Sequence, residues 1–203
     1  KHFQDMNKTL VIYTPAIPSS LGELIYMKNN GFVLFKRAEV LGMITKNSKS
    51  LGIAGTHGKT TIATMVTHVL NQSKYKCTSF LGGISTNLNS NFITNEYPEY
   101  TVIEADEFDR TFLQLRPFAS IISSIDPDHL DVYKNINFIK KEFQNYANLI
   151  NVNGFMIKHK DLKITHPNTI SYGLNFGADY IGENIRFENN RFIFDVKTPS
   201  CSW

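Results

Sequence analysis

A short segment of the chain has the residue types of a phosphate-binding loop: Gly55, Thr56, His57, Gly58, Lys59, Thr60 and Thr61. A glycine-rich turn that opens a helix directs backbone N–H groups at one point, where they and the helix dipole attract phosphate oxygens. Lys59 adds a positive charge for β- and γ-phosphates, and the Thr60 hydroxyl is suited to ligate Mg²⁺. The segment is predicted to bind a nucleoside triphosphate with magnesium.

The spacing of this loop departs from the common GxxxxGK[ST] pattern. The first glycine of that pattern would fall at Ile53, whereas the glycines of this chain stand at Gly52 and Gly55. The departure disfavours an ordinary kinase or GTPase. The alternative to a phosphate-binding loop is a purely structural one: a tight strand-to-helix turn that happens to contain a lysine.

A second group of residues carries four carboxylates within six positions: Glu104, Asp106, Glu107 and Asp109. Carboxylates this close repel one another unless they are solvated or share a cation. Because side chains alternate along a strand, Glu104 and Asp106 lie on one face, which makes Glu104 a candidate ligand for Mg²⁺. The alternative is a solvated acidic loop of helix-capping residues.

A third group, Asp126-Pro127-Asp128-His129-Leu130-Asp131, follows another apolar run. His129 among three aspartates is suited to bind a divalent ion or to orient a carboxylate ligand. Taken alone, a histidine at such a place is more often a hydrogen-bonded turn residue. The other two groups favour the metal-binding interpretation.

The elements that must position these groups are strands and helices in alternation. Apolar strands are predicted at residues 50–54, 100–105 and 120–125, and each is followed by one of the three groups. A helix over residues 60–70 places one set of apolar side chains on one face: Ile62, Met65, Val66, Val69 and Leu70. Since ligands bind where parallel strands end, the pattern predicts an α/β fold of the P-loop type, a mostly parallel sheet flanked by helices.

The remaining pattern divides the chain into two parts. Residues 1–46 predict the tail of an α/β domain, and KNSKS at 46–50 predicts a linker. The tail comprises a strand at 9–13, a helix capped by Ser19 and ended by Gly31, a strand at 32–35 and a helix at 37–45. Residues 47–203 form the second part. It adds a helix at 135–150, a strand at 154–158 and a hairpin within 179–196 around Asn189-Asn190.

Composition excludes several classes of protein. The chain has 203 residues, 42% of them hydrophobic, and a net charge of +3 without a block of like charges, which argues against nucleic-acid and membrane partners. Cys77 and Cys201 form no metal-binding or disulfide pattern. No apolar run reaches the roughly 18 residues of a membrane helix. We expect a soluble, cytoplasmic protein, and the unusual ends lead us to expect a fragment.

The segments GTHGKTT, EADEFDRTFLQLRP and DPDHLDVY, in this order, resemble the central domain of the Mur ligases, which build the peptide stem of peptidoglycan. Residues 1–46, with TLVIYTPAIP and FKRAEVLG, resemble the end of the Rossmann-like UDP-binding domain of that family. The resemblance implies that residues 47–203 are a central ATP-binding domain. It also implies that the C-terminal ligase domain is absent.

The resemblance is strongest to the alanine-adding branch and implies ATP-dependent amide formation between UDP-N-acetylmuramate and L-alanine. In that family the substrate carboxylate attacks the γ-phosphate, and the amine then opens the acyl phosphate. Residues 55–61 would hold ATP, Thr60 and Glu104 one Mg²⁺, and His129 a second. Lys59, Glu104 and His129 would be the catalytic residues. A weaker correspondence places the Gly82-Gly83 turn and Asn87 near the sugar nucleotide.

Two departures and two alternatives accompany this resemblance. Ile62 replaces a threonine of many members, and the carbamoylated lysine of some relatives has no clear match. A tripeptide-adding ligase of murein recycling shares the first two segments. A nucleotide-binding module without catalysis would need the phosphate loop but no second metal site.

Overall fold

The computed structural model describes residues 5–126 and 136–200, excepting the side chains of Asn7, Asp109 and Ile136. The strands are β1 Val11–Tyr13, β2 Leu34–Lys36, β3 Lys49–Ala54, β4 Cys77–Ser85, β5 Ser90–Ile93, β6 Tyr100–Glu104, β7 Ala119–Ile122, β8 Met156–His159, β9 Thr169–Leu174, β10 Tyr180–Glu188 and β11 Arg191–Lys197. The helices are α1 Gly22–Asn29, α2 Arg37–Lys46, α3 Lys59–Gln72 and α4 Ile136–Ala147, with 3₁₀ helices at Met6–Lys8 and Phe108–Gln114. None of the described helices has the length and apolar character needed to cross a membrane.

The described strands form one large sheet and one small one. The large sheet has the order β11-β10-β9-β8-β7-β3-β6-β4-β5, while β1 and β2 pair in parallel by themselves. All neighbours in the large sheet are parallel except β4 with β5 and β10 with β11. The predicted α/β fold with a mostly parallel sheet is confirmed.

The core lies on both faces of the central strands. Consecutive residues point to opposite faces, so Val102 joins the cluster that contains Ala63 of α3, whereas Ile103 joins the one that contains Phe143 of α4. The strand that leads to the phosphate loop, β3, lies between β6 and β7. Its residues belong to both clusters, so α3 covers one face of the strand and α4 covers the other. This packing fixes the position of its carboxyl end.

A buried hydrogen-bond chain fixes α4 to this central strand. The Ser120 hydroxyl donates to the Gly52 carbonyl at 2.7 Å and lies 2.9 Å from the Tyr146 hydroxyl. A Cβ at Gly52 would lie 2.2 Å from that phenol oxygen, so only glycine fits there. Burial raises the pKa of the Tyr146 phenol, against the opposing effect of its hydrogen bond with Ser120.

The N-terminal part corrects two predictions. Ser19 is not a helix cap: Leu21 N donates to Pro18 O at 3.0 Å in a turn, and α1 begins only at Gly22. Gly31, at φ 76°, does follow the end of α1 as expected. The predicted linker at 46–50 is also wrong, because only residues 47 and 48 separate α2 from β3.

The prediction missed three strands, β4, β5 and β9. The turn predicted at Gly82 and Gly83 is wrong, because both residues lie within β4. Their lack of side chains weakened the strand pattern, and the structure keeps them extended because β4 pairs with β6 over residues 77–80 and with β5 at Ser85. The hairpin is confirmed, with Asn189 and Asn190 at φ 49° and 59° between β10 and β11.

The buried face of α3 differs from the expected one. Ala63 and Thr67 are buried, and Ile62, Val66 and Leu70 pack partly against the same cluster. Met65 and Val69 are instead 62% and 64% exposed. Small residues at the centre of this face let the helix approach the sheet closely.

Candidate functional site

The carboxyl ends of three adjacent strands form the site. β3 leads into the loop 55–58 and α3, β6 leads into the acidic segment, and β7 leads into residues 123–126. Parallel neighbours end at the same edge of a sheet, where α/β proteins bind ligands. The structure thus brings the first two predicted groups together.

Two glycines give the loop its shape. Gly55 has φ 134° and Gly58 has φ 81°, backbone torsions that residues with a side chain rarely adopt. A Cβ at Gly55 would also lie 2.1 Å from the Ser123 hydroxyl oxygen. The loop conformation therefore depends on glycine for both torsion and space.

Residues after β7 hold the loop in place. Thr56 N donates to Ser124 O at 3.1 Å, His57 N donates to Ser124 Oγ at 3.0 Å, and Ser123 Oγ donates to His57 O at 2.6 Å. These bonds use the N–H groups of Thr56 and His57 within the protein. The first turn of α3, residues 59–61, is the part whose N–H groups have no intrahelical acceptor and can bind an anion.

Lys59 reaches back into the loop and the acidic segment. Its Nζ lies 2.9 Å from Gly55 O and 2.8 and 3.0 Å from the two carboxylate oxygens of Glu107. The Glu107 side chain is 1% exposed and that of Lys59 16%. The lysine is thus part of a buried ion pair directly beside the phosphate loop.

Glu104 faces a different partner. Its Oε1 accepts a hydrogen bond from Gly82 N at 2.7 Å, and its Oε2 accepts one from the Thr60 hydroxyl at 3.3 Å. A Cβ at Gly82 would lie 2.4 Å from Oε2. Glycine in β4 therefore makes room for the carboxylate that meets Thr60.

The chain also matches known proteins. Residues 53–202 match the family model of the Mur ligase middle domain. This chain belongs to the Mur ligase family.

Curated relatives carry one recurrent name. The chain is 43% identical over 202 residues to UDP-N-acetylmuramate--L-alanine ligase of Parabacteroides distasonis and 44% identical to the protein of that name from Phocaeicola vulgatus. Each match covers 97% of this chain and 44% of the relative. The chain therefore spans less than half the length of these relatives.

Solved structures of Mur ligases share the fold. UDP-N-acetylmuramate-alanine ligase of Thermotoga maritima superposes with a TM-score of 0.79 at 24% identity, over 96% of this chain and 45% of that one. UDP-N-acetylmuramate:L-alanyl-gamma-D-glutamyl-meso-diaminopimelate ligase of Neisseria meningitides gives 0.77 at 21%, over 94% and 65%. A MurF ligase of Thermotoga maritima in complex with ADP gives 0.68 at 12%, over 98% and 56%.

In this Mur ligase domain, the acidic segment is less repulsive than its composition indicates. Glu107 pairs with Lys59, Glu104 accepts the two hydrogen bonds already described, and Asp106 Oδ1 accepts one from Phe108 N at 3.1 Å. These contacts reduce the repulsion between the carboxylates without solvation or a shared cation. Each of these three carboxylates has its own protein partner.

The oxygen atoms of Thr60 and Glu104 fit a magnesium ion. Mg²⁺ takes one or two protein oxygens and completes its shell with water and substrate phosphates. Within residues 5–126 and 136–200 no group of three or more His, Cys, Asp or Glu side chains could hold a metal alone. A hydroxyl and one carboxylate beside a phosphate loop suit an ion that arrives with a nucleotide.

The other predicted residues have different positions. Gly83 lies near Thr60, since a Cβ there would be 3.7 Å from Thr60 Cγ2. Asn87 lies in the exposed turn between β4 and β5. His57 is exposed, with Nε2 3.6 Å from Asp126 Oδ2. His129 lies outside the described residues, so its metal role stays a prediction.

Sequence reasoning did not assign Glu107, Ser123 and Ser124. Glu107 was counted among the carboxylates, and the two serines were included in the strand at 120–125. A usable signal was present for the serines: two hydroxyl side chains directly follow an apolar strand that the fold places beside the loop. No local pattern distinguishes Glu107 from its acidic neighbours.

Proposed function

We propose that this chain is the ATP-binding core of a ligase that joins L-alanine to UDP-N-acetylmuramate in peptidoglycan synthesis. The convergence of Thr60 and Glu104 beside a phosphate loop carries the proposal. A hydroxyl and a carboxylate at that place suit a nucleotide with Mg²⁺. The two substrates in this proposal are inferred from the sequence relatives, whose names specify UDP-N-acetylmuramate and L-alanine.

Different residues of the chain bind the polyphosphate and the Mg²⁺ ion of the nucleotide. The first-turn N–H groups of α3 and Lys59 bind the polyphosphate, and Thr60 with Glu104 holds Mg²⁺. A bound Mg²⁺ would partly neutralise the phosphate oxygens and so reduce their repulsion of an anionic carboxylate. Gly82 N orients Glu104. Ser123 and Ser124 keep the loop shaped before the nucleotide arrives.

Several predictions belong to the same proposal. His129 is proposed to ligate a second Mg²⁺, and Gly82, Gly83 and Asn87 to face the sugar nucleotide. The domain boundary after residue 46 and a cytoplasmic location also stay predictions. They follow from the family resemblance.

A tripeptide-adding ligase is the second candidate. The solved ligase of that type has a TM-score of 0.77, close to the 0.79 of the alanine ligase. Fold similarity therefore does not separate the two. The 43–44% identity to the curated alanine ligases favours the first.

Calorimetric titration with a nonhydrolysable ATP analogue tests the nucleotide site. We expect Mg²⁺-dependent binding that Lys59→Ala and Glu104→Ala each weaken by at least about tenfold, since each removes a charged group that contacts the phosphates or the ion. Lys49→Ala and Glu99→Ala are matched controls, because these residues form an exposed ion pair at 3.3 Å. Binding that persists without Mg²⁺ and ignores Glu104→Ala would favour a non-catalytic module.

A chimera tests the reaction. This chain replaces the matching 44% of the Parabacteroides distasonis relative, and phosphate release is measured with each substrate. We expect release that requires both UDP-N-acetylmuramate and L-alanine and that is lost with Lys59→Ala or His129→Ala. Faster release with the tripeptide than with L-alanine would identify the second candidate instead.

A further inference from the structure

The ammonium group of Lys59 is surrounded by protein oxygens. Nζ has three acceptors within 3.0 Å: the two carboxylate oxygens of Glu107 and the carbonyl oxygen of Gly55. An ammonium group has three N–H donors, so these acceptors can engage all of them. The positive charge of Lys59 beside the phosphate loop is therefore already paired with the carboxylate of Glu107.

Burial makes this pairing difficult to break. The Glu107 side chain is 1% exposed, whereas that of Lys59 is 16% exposed. Removing the partner of a buried carboxylate is strongly unfavourable, because the charge has lost its water. A phosphate that binds here must share Lys59 with Glu107.

The backbone holds Glu107 rigidly. Arg110 N donates to Glu107 O at 2.9 Å, and Phe112 N donates to Asp106 O at 3.0 Å, which closes the turn after β6. Glu104 at the end of the same strand meets Thr60 instead. The two glutamates therefore have separate tasks, one at the metal position and one at the lysine.

We infer that Glu107 is a positioning residue that fixes the Lys59 ammonium group for the phosphates. Its negative charge also opposes the phosphates, so it lowers nucleotide affinity while it fixes the lysine. The inference rests on the proposed function only for its nucleotide part. The tether between Glu107 and Lys59 is a property of the chain itself.

The first test measures the amine reactivity of Lys59 without any nucleotide. The chain and its Glu107→Gln variant are treated with acetic anhydride, and acetylation of each lysine is followed by mass spectrometry. We expect Lys59 to react roughly three- to tenfold faster in the variant, since a charge-assisted hydrogen bond is lost. Lys158, whose half-buried ammonium group donates to Leu162 O, is the internal reference.

Folding is controlled in the same experiment. An equal acceleration at Lys158 would indicate unfolding of the variant, and Glu107→Asp, which keeps the charge but shortens the reach, then takes its place with the same expectation at Lys59. An unchanged Lys59 rate in a folded variant overturns the inference.

The second test measures binding of the nonhydrolysable ATP analogue with Mg²⁺. Glu107→Gln is expected to bind about three- to tenfold more tightly than the unaltered chain, because a like charge beside the phosphates is removed. Glu107→Asp should bind no more tightly than the unaltered chain, since it keeps the charge. Glu99→Gln is the matched control, as Glu99 also pairs with a lysine but is exposed.

The outcomes separate the two proposals. Weaker binding by Glu107→Gln overturns the inferred repulsion between Glu107 and the phosphates and leaves the proposed function intact. Absence of binding by the unaltered chain contradicts the proposed function. The acetylation rates then still decide whether Glu107 holds Lys59.

Discussion

The central strands and the C-terminal hairpin use similar apolar residues but bury them very differently. Ile53, Val102 and Ile122 in β3, β6 and β7 are at most 1% exposed, whereas Phe187 and Phe192 in the hairpin are 63% and 72% exposed. Helices α3 and α4 cover the central strands, while the main packing partners of β10 and β11 in the described chain are other strands. An apolar strand pattern thus predicts a strand but not its burial.

The difference also concerns polar contacts. In the central part, the buried Ser120 hydroxyl contacts Gly52 of β3 and Tyr146 of α4, and the half-buried Ser123 hydroxyl donates to the phosphate loop. In the hairpin region, apolar side chains of β9, β10 and β11 line an open cavity of about 520 Å³. Substitutions should therefore cost much more stability in the first region than in the second.

The largest effect is expected for truncation of a central aromatic residue. Phe112 is 1% exposed, and its ring centroid lies 5.3 Å from that of Phe143 and 5.0 Å from that of Tyr146. Phe112→Ala should lower the free energy of unfolding by about 3–5 kcal/mol. The matched change Phe192→Ala should cost less than about 1 kcal/mol, because that ring is mostly exposed.

Urea unfolding followed by circular dichroism measures both values. Equal losses for the two variants would contradict the comparison, and would mean that the hairpin aromatic residues are covered in solution.

A smaller effect is expected from a single added methyl group. A Cβ at Gly154 would lie 1.6 Å from Phe118 O, a backbone atom that cannot move away alone. Gly154→Ala should destabilise the chain by about 3 kcal/mol. At Gly182 in β10 the added Cβ would meet Leu174 Cδ2 at 3.0 Å, the end of a flexible side chain, so Gly182→Ala should cost about 1 kcal/mol or less.

Thermal unfolding of the two alanine variants gives the comparison. A Gly182→Ala variant that melts as far below the unaltered chain as Gly154→Ala would show that the hairpin is packed as tightly as the centre.

The smallest effect is expected at an exposed hydrogen-bonded carboxylate. Hydrogen bonds from the Ser171 hydroxyl and backbone N–H, at 2.6 and 2.7 Å, lower the pKa of Asp179. A lowered pKa stabilises the fold above the ordinary value near 4, and this contribution disappears as the pH falls through the lowered value. Asp179→Asn should therefore cost less than about 1 kcal/mol at pH 7, because the site is exposed.

Unfolding at pH 7 and pH 3 checks the sign. The difference between Asp179 and its asparagine variant should shrink at the lower pH, and a difference that grows on acidification would contradict this prediction.

Local patterns predicted much of the fold. The apolar runs at β3, β6 and β7 and the Asn189-Asn190 turn lie where the sequence indicated, since a buried strand and a tight turn both have local signatures. β4 was missed because Gly82 and Gly83 interrupt its pattern. Position 82 requires glycine because the Glu104 carboxylate of the neighbouring strand occupies the space that a Cβ would take. Ser19 was misassigned because the turn after Pro18 uses the same residue types as a helix cap.

The candidate site was predictable to the extent that its residues are consecutive. The loop, Lys59, Thr60 and Glu104 follow from local motifs, and the structure places Thr60 against Glu104. The pairing of Lys59 with Glu107 joins residues 48 positions apart and depends on the order of strands in the sheet. His129 stays a prediction because it lies outside the described residues.

The last turn of α2 has a mechanical consequence. The buried hydroxyl of Thr45 accepts a hydrogen bond from Arg116 N at 2.9 Å, and Ser50 Oγ donates to Thr45 O at 3.0 Å. Rotation of the chain between residues 46 and 50 would break these bonds, at about 1 kcal/mol each. These bonds therefore oppose bending of the short connection between α2 and β3, because they tie the end of α2 both to β3 and to the segment that precedes β7.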